Sequence, residues 1–324
     1  MIEPRELTVE IGALDLDCGA TLPAVEQRVA IYGEPKPDGS NVALVPHALT
    51  GSSRIGEWWP SMLADGAPLD VVRWCVVGVN ALGSCYGSTG PTTNDPRGRP
   101  WGSCFPTVSV RDVVRAQARA LDALGIGSIA LTIGASLGGM QALQWALDYP
   151  GRVARAVVIG AHDHQSAMGI ALNSLQRDAI ALDPARGVRL ARKIAMLSYK
   201  SDDLFKERHD RKPDRRGKPH FDVEGYLEHQ ADLFETRMDP WAYVALTKTM
   251  DSQDVREHPS RDTRPHLRFI GISSDWLFRP QEIRAAVARL QGRGFTADYR
   301  ELHSNHGHDA FLAQPQALAE LLSE

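Results

Sequence analysis

The sequence predicts an α/β protein in which helices cover both faces of a mostly parallel, doubly wound sheet. Through most of the 324 residues, short apolar and β-branched segments alternate with segments of helical periodicity. Near residue 130, one apolar segment runs directly into a glycine-rich turn and then a helix. From about residue 162, roughly a hundred residues show helical patterns and no clear strand, which predicts an all-helical insertion.

Each element follows from a local pattern. The antiparallel edge of the sheet is predicted between residues 6 and 32. Further strands are predicted over residues 41–46, 71–80, 129–133, 152–160, 266–273 and 295–302; the segment 71–80 is nearly continuously apolar, as is typical of a buried parallel strand. Ser109 and Asp112 are spaced as a capping box for the helix that precedes the glycine-rich turn. Further helices are predicted over residues 166–182, 188–207, 223–237, 240–250, 281–290 and 315–322.

These patterns divide the chain into a core of residues 1–161 and 259–324 and a helical insertion of residues 162–258. Because the insertion follows the carboxyl end of a parallel strand, we expect it to lie over the ligand-binding edge of the sheet as a lid. Within it, residues 206–220 contain seven Lys or Arg and only three Asp or Glu. A solvated loop is the simpler interpretation, and a site for the phosphates of a cofactor such as coenzyme A is the alternative.

Composition narrows the classes of function. A net charge of -4 and a pI near 6.3 argue against nucleic acid or an anionic membrane as the main partner. The N-terminus carries charges where a signal peptide needs an apolar segment, so we expect a cytoplasmic protein. The cysteines show no C-x-x-C pair and no histidine at metal-ligand spacing, which predicts reduced thiols and no metal site; they are Cys18, Cys75, Cys85 and Cys104.

The predicted chemistry centres on the G-x-S-x-G motif of residues 134–138, which stands between a strand and a helix. Its glycines let the strand and the helix pack closely, and its serine is held on a strained turn with the hydroxyl exposed. In this context the motif predicts the nucleophile elbow of an α/β-hydrolase fold, with Ser136 as the nucleophile. The alternative is an ordinary glycine-rich turn.

A serine nucleophile needs a base, and the base needs a carboxylate that fixes its tautomer. In this fold the acid and then the histidine follow later strands. Asp275 comes directly after the strand predicted over residues 266–273, whereas the other acidic candidates lie in the insertion or at its exit; these are Asp251, Asp254 and Asp262. Three histidines follow the last strand, and spacing alone does not choose among them: His303, His306 and His308.

Two backbone N–H groups are predicted to form an oxyanion hole. One belongs to Leu137, directly after the nucleophile. The other comes from the loop after the strand at residues 41–46, where we assign it to Leu49, with Ala48 as the alternative.

Longer motifs resemble the homoserine O-acetyltransferase family of α/β-hydrolases from about residue 40 to the C-terminus. They are H-A-L-T-G (47–51), L-G-S-C-Y-G-S-T-G-P (82–91), F-P-T-V-S-V-R-D-V-V-R-A-Q (105–117), G-A-S-L-G-G-M-Q-A-L-Q-W-A (134–146), D-V-E-G-Y-L-E-H-Q (222–230), S-D-W-L-F (274–278) and G-H-D-A-F-L (307–312). The resemblance implies transfer of an acetyl or short acyl group from acyl-CoA, a co-substrate and not a tightly bound cofactor, to the hydroxyl of homoserine or a similar amino acid. It also implies an acyl-serine intermediate and a homodimer formed through the lid.

The same resemblance implies roles for individual residues. It selects His308 as the base. Asp309 matches the residue that binds the amine of the substrate, Arg177 matches the arginine that binds its carboxylate, and Tyr199 matches a lid tyrosine near the active site. Without the resemblance, Arg177 is interpreted as a surface charge and Tyr199 as a core aromatic residue.

The sequence also departs from the pattern of this family. Leu137 stands where Met is usual, Arg54 stands where His is common, and a Gly/Tyr-rich segment is missing after residue 184, so a shorter lid is expected. These departures motivate an alternative function, a serine esterase of the same fold that passes the acyl group to water. A catalytically silent binding protein on the same scaffold is the third hypothesis.

Overall fold

A computed structural model describes residues 3–217, 220–259 and 265–323. Its eight strands form one sheet in the order β1-β2-β4-β3-β5-β6-β7-β8. The strands are β1 (Arg5–Asp15), β2 (Thr21–Tyr32), β3 (Val42–Leu44), β4 (Cys75–Val79), β5 (Leu131–Ala135), β6 (Arg155–Ile159), β7 (His266–Ile272) and β8 (Ala297–Leu302). Strand β2 pairs antiparallel with β1 and β4, and the other pairs are parallel. The predicted fold class, with its antiparallel edge, is confirmed.

The helices are α1 (Ile55–Trp58), α2 (Pro60–Leu63), α3 (Val110–Ala123), α4 (Leu137–Asp148), α5 (Ala167–Leu182), α6 (Pro184–Tyr199), α7 (Asp202–Arg208), α8 (Asp222–Glu235), α9 (Pro240–Asp251), α10 (Pro280–Gly292), α11 (Ala310–Ala313) and α12 (Pro315–Ser323). On one face of the sheet, α3, α4 and α10 contribute to the apolar core, and on the other face α2, α11 and α12 do so. Both faces are therefore covered, which explains why the central strands are apolar throughout.

One strand boundary and two short helices differ from the sequence-based prediction. The strand predicted over residues 71–80 begins only at Cys75, because Asp70 organises a turn before it: its side chain accepts a hydrogen bond from the Val72 N–H at 2.8 Å and its carbonyl accepts one from Trp74. The short helices α1 and α2 carry too few residues for a periodicity to be visible, and the sequence did not predict them.

The insertion is helical in its described part, from α5 to α9. The single helix predicted over residues 188–207 is two helices, α6 and α7, which meet at Lys200 and Ser201. The side chain of Ser201 accepts a hydrogen bond from the Leu204 N–H at 3.1 Å and so caps α7. The predicted return to the core at residue 259 borders residues 260–264, which lie outside the described residues.

The described part of the basic segment, residues 206–217 and 220, packs on α8. His209 Nδ1 lies 2.8 Å from a carboxylate oxygen of Asp222, and Arg215 lies 3.1 Å from the other. Lys218 and Pro219 belong to the predicted basic segment and lie outside the described residues. Within the described ranges, no helix combines the length and the apolar character that crossing a membrane requires.

Candidate active site

Ser136 lies on the tight turn between β5 and α4. Its backbone has φ 56° and ψ -125°, a conformation that is costly for a residue with a side chain and is typical of functional sites. Glycines on either side make the turn possible. A Cβ at Gly134 would lie 2.2 Å from the carbonyl oxygen of Gly138, and one at Gly138 would lie 2.3 Å from that of Pro46. The turn therefore has the close packing that the G-x-S-x-G motif predicts.

Asp275 and His308 form a buried pair, in which Oδ2 of the carboxylate lies 2.7 Å from Nδ1 of the imidazole. The other carboxylate oxygen accepts hydrogen bonds from the backbone N–H groups of Leu277 and Phe278, each at 2.9 Å. These two bonds fix the carboxylate, which in turn fixes the imidazole with Nδ1 protonated. The remaining ring nitrogen, Nε2, has no hydrogen-bond partner among the described residues and is free to take a proton.

The electrostatics favour a basic imidazole at His308. Burial opposes the charged form, but the charge of Asp275 and its hydrogen bond outweigh burial and raise the pKa of His308 above its ordinary value. Aromatic rings pack around the imidazole: the ring of Phe278 is stacked at 5.2 Å between centroids, and that of Tyr199 lies at 5.7 Å. The histidine is thus held in one orientation.

The structure brings together the three residues assigned to the triad. Ser136 and His308 line the same cavity, and His308 contacts Asp275. Of the histidines that spacing left tied, His303 has a side chain that is 83% exposed, and its Nδ1 lies 4.0 Å from Glu301. The placement of His308 agrees with the choice that the family resemblance implied.

Both residues assigned as oxyanion donors lie near the nucleophile in the fold: Leu137 follows Ser136 in the chain, and Leu49 lines the same cavity. Leu137 is the first residue of α4, where a backbone N–H has no acceptor within the helix. Leu49 and Ala48 both line the cavity with Ser136, so the choice between them stays a prediction.

His47 fixes the loop that carries Leu49, a role the sequence analysis missed. Its Nδ1 lies 2.7 Å from the carbonyl oxygen of Ala48, and its Nε2 accepts a hydrogen bond from the Ala81 N–H at 2.9 Å. Complete burial lowers the pKa of His47 to about 4, so the ring is neutral and donates from Nδ1. The only available signal was the position of this histidine at the end of a buried strand.

The cavity above the nucleophile has a volume of about 720 Å³ and is lined from both the core and the lid. Ser136 and His308 lie in its wall together with Tyr199 from α6, whose pKa burial raises to about 12. Seven Arg, Asp or Glu residues also line the cavity: Glu6, Arg28, Arg54, Glu57, Arg192, Arg237 and Asp309.

Arg177, assigned from the family resemblance to the substrate carboxylate, does not line this cavity. It lies on α5, and its Nη1 makes an ion pair with Asp251 at 2.7 Å. The structure therefore gives Arg177 a carboxylate partner within the protein, and its assignment to the carboxylate of the substrate stays a prediction.

Arg192 lines the cavity instead. It lies on α6, and its guanidinium carbon is 4.9 Å from the centroid of the Phe234 ring. Its Nε is buried without a hydrogen bond, and among the described residues it makes no ion pair. A signal was available in the sequence, because Arg192 and Tyr199 are seven residues apart and so share one face of a helix.

The other charged lining residues have partners. Asp309, assigned to the substrate amine, makes an ion pair with Lys200 at 2.7 Å. Arg54, one of the departures noted in the sequence, lies 2.7 Å from Glu57 and 3.2 Å from Glu6. The guanidinium of Arg237 donates a hydrogen bond to the carbonyl oxygen of Thr50 at 2.9 Å.

Three side chains capable of binding a metal lie close together near the end of β6. The potential ligand atoms of His162, Asp163 and His164 are all within 4.8 Å of one another. However, both carboxylate oxygens of Asp163 already accept hydrogen bonds from Arg289, at 2.7 and 2.8 Å. The absence of a metal site stays a prediction, and the cluster has no part in the chemistry described below.

Residues 41–315 match the family model described as the alpha/beta hydrolase fold. The chain is 39% identical to a homoserine O-succinyltransferase of Halothiobacillus neapolitanus, covering 96% of this chain and 86% of that protein. It is 36% identical to a homoserine O-acetyltransferase of Clavibacter michiganensis, covering 98% and 91%. In structure it is similar to esterase E22, with a TM-score of 0.87 at 22% identity and 98% coverage of both chains, a likeness that concerns the fold alone.

Proposed function

The chain belongs to the homoserine O-acyltransferase family of the α/β-hydrolase fold, and from this premise we propose that it moves an acyl group from acyl-CoA to the hydroxyl of homoserine or a similar amino acid. The observation that carries the proposal is the Asp275–His308 pair, which shares a cavity with Ser136 and with the unpaired cation of Arg192. Relatives named for acetyl and for succinyl transfer are both similar to the chain, so the acyl group is proposed as acetyl or succinyl.

In the first half of the reaction, Nε2 of His308 takes the proton of Ser136, and the serine oxygen attacks the thioester carbonyl. The oxyanion that forms accepts hydrogen bonds from the N–H groups of Leu49 and Leu137. Each such donor is worth about 3 kcal/mol, so these two bonds supply much of the stabilisation of the transition state. Collapse of the intermediate breaks the C–S bond, the thiolate of coenzyme A leaves with the proton from His308, and the acyl-serine remains.

In the second half, His308 takes the proton of the acceptor hydroxyl, and the acceptor oxygen attacks the acyl-serine. Collapse breaks the bond to Ser136, which recovers its proton from His308. Arg192 binds the carboxylate of the acceptor through charge-assisted hydrogen bonds, and Asp309 lies on the side of its amine. Holding the hydroxyl at attack distance favours transfer over hydrolysis, provided that the lid excludes water.

Hydrolysis of the acyl-serine is the second candidate function. It requires the same triad, and one observation favours it: the ion pair that already occupies Asp309, the residue assigned to the amine of an amino-acid acceptor. Transfer remains our main proposal because an unpaired cation such as Arg192 has no role in the attack of water.

We also propose that the chain forms a homodimer through the lid. Large apolar side chains are exposed on helices of the lid, as expected for a surface that another chain covers; they are Met168, Leu175, Leu182, Leu190, Leu197 and Leu233.

The test of the main proposal is product analysis after incubation with acetyl-CoA or succinyl-CoA, with and without homoserine. We expect free coenzyme A and O-acylhomoserine in equal amounts, and loss of both products in Ser136→Ala. Formation of the free acid alone, at a rate that homoserine does not change, would reject transfer and favour the esterase.

A further inference from the structure

The carboxylate assigned to the amine of the acceptor already holds an ammonium group. Nζ of Lys200 lies 2.7 Å from Oδ2 of Asp309, and the two side chains are only 13% and 21% exposed. Asp309 directly follows His308 and lines the same cavity. The carboxylate of this ion pair therefore lies in the wall of the cavity where the proposed function places the amine of the substrate.

The backbone of Lys200 is held firmly against the loop that carries His308. Its carbonyl oxygen accepts a hydrogen bond from Nε1 of Trp276 at 3.1 Å, and Ser201 next to it hydrogen-bonds the carbonyl of Asn305 through its hydroxyl. Gly307 has φ 68°, and a Cβ there would lie only 2.7–2.8 Å from the backbone of residues 199–201. This packing directs the lysine side chain to Asp309.

The carboxylates and the guanidinium groups that line the cavity differ in whether they are engaged in ion pairs. The other two lining carboxylates also have cationic partners, Glu6 with Arg28 at 3.2 Å and Glu57 with Arg54 at 2.7 Å. Among the described lining residues, every carboxylate is thus paired with a cation, whereas Arg192 makes no ion pair and Arg237 bonds only to neutral oxygens. The cavity offers an unpaired charge to a carboxylate and none to an ammonium group.

We propose that Lys200 is a specificity-determining residue that supplies the positive charge at Asp309 from within the protein. The acceptor is then recognised by its carboxylate and its hydroxyl, and its class is hydroxy acids with or without an α-amino group. An ammonium-bearing acceptor has to displace Lys200 from Asp309, so the new charge-assisted bond is offset by the one that is lost. The inference rests on the proposed function, because it concerns the acceptor of that reaction.

The test compares the binding of homoserine with that of 4-hydroxybutyrate, which has the same carboxylate and hydroxyl but no amine. Isothermal titration calorimetry on Ser136→Ala protein measures both dissociation constants without turnover. With Lys200 present, we expect the two constants to agree within about threefold, because the amine gains no net contact. In Lys200→Met, which keeps the aliphatic stem, homoserine should bind about tenfold or more tightly than 4-hydroxybutyrate.

Two further variants separate charge from structure. Lys200→Arg keeps the cation and should retain the weak discrimination. Lys193→Met removes a lysine of α6, the helix that ends directly before Lys200; the ammonium of Lys193 binds Glu228 outside the cavity, so this variant should leave the ratio of the two constants unchanged. If Lys200 served only to hold the lid, Lys200→Met would weaken both compounds equally.

The proposal is overturned if homoserine already binds about tenfold more tightly with Lys200 present, if Lys200→Met leaves the ratio unchanged, or if neither compound binds. Failure of the proposed function would appear in a different assay: protein with an intact Ser136 would not transfer the acyl group. The binding ratio and the transfer assay can therefore fail separately.

Discussion

At the scale of single residues, Arg192 and Arg177 provide the clearest contrast. Both lie on lid helices, but Arg192 lines the cavity without an ion pair, whereas Arg177 is paired with Asp251. We expect Arg192→Ala to raise the KM for the acceptor about tenfold or more, the cost of a lost charge-assisted bond, while the release of coenzyme A in the first half-reaction changes little.

Arg177→Ala is the matched control for this prediction. Its acceptor KM should remain within about twofold of that of the unmodified protein, because its partner is a protein carboxylate. Steady-state kinetics on both variants measure the two effects, and a larger effect at Arg177 than at Arg192 would favour the assignment to Arg177 that the family resemblance implied.

The pH dependence of the first half-reaction also depends on one residue. His308 must be neutral to take the proton of the serine, and the charge of Asp275 raises its pKa above 6.5. Activity should therefore fall as the pH drops, with a midpoint above the ordinary pKa of a histidine. Asp275→Asn removes the negative charge that raises the pKa of His308, so the midpoint should move to lower pH. The rate should also fall about 10⁴-fold. A pH–rate profile of coenzyme A release measures both, and an unchanged midpoint in Asp275→Asn would contradict the assigned pair.

At the scale of elements, the elbow was predictable because its determinants are local. A β-branched strand, small residues at Gly134 and Gly138 and a helical pattern stand next to one another in the sequence. The strained backbone of Ser136 follows from that order alone. The lid was less predictable, because the helical periodicity continues through the break between α6 and α7, where only Ser201 marks a new helix.

The loop that carries Leu49 depends on a contact that the sequence could not predict. The role of His47 depends on Ala81, which is far away in the chain and meets it only through the pairing of β3 with β4. The same holds for Lys200 and Asp309, which are 109 residues apart. Such pairs require the register of the folded elements, which no local pattern encodes.

Replacing His47 tests whether this histidine stabilises and positions the loop that carries Leu49. His47→Ala leaves the buried Ala81 N–H without its acceptor, so we expect the free energy of unfolding to fall by about 1–3 kcal/mol. The loss of its bond to the carbonyl of Ala48 should also loosen Leu49 and slow acylation of Ser136 more than it affects acceptor binding. Urea denaturation and rapid-quench measurements of acylation check the two effects, and normal acylation by a destabilised variant would remove the positioning role.

At the scale of the whole molecule, two buried histidines predict how stability depends on pH. Burial lowers the pKa values of His47 and His162 to about 4, whereas in the unfolded chain they lie near 6.5. The unfolded state therefore binds more protons, and the free energy of unfolding should decrease as the pH falls from about 6.5 to 4.

Urea denaturation at pH 7 and pH 4.5 measures this decrease. It should be smaller in His162→Gln, which removes one buried titrating group, and unchanged in His303→Gln, which removes an exposed one. Equal pH dependence in all three proteins would contradict the role given to burial.

The proposed dimer is also a property of the whole molecule. Leu182 lies on a lid helix and is 90% exposed. Val72 is 85% exposed and lies on the surface of the α/β part of the chain, outside the lid. Leu182→Glu should shift the sedimentation coefficient towards that of a monomer, because a charge in an apolar interface is costly, and Val72→Glu should not. A monomeric unmodified protein, or equal sedimentation of both variants, would contradict dimerisation through the lid.

In the proposed reaction Ser136 carries the acyl group from coenzyme A to an amino-acid hydroxyl, and intact-protein mass spectrometry detects the acyl-serine itself. After mixing with acetyl-CoA or succinyl-CoA in the absence of acceptor, we expect the mass to increase by one acyl group, located on the peptide that contains Ser136. Added homoserine should discharge this group within the time of one turnover and yield O-acylhomoserine. Absence of the acyl-protein, or its loss to water at a rate that homoserine does not change, would contradict the proposed reaction.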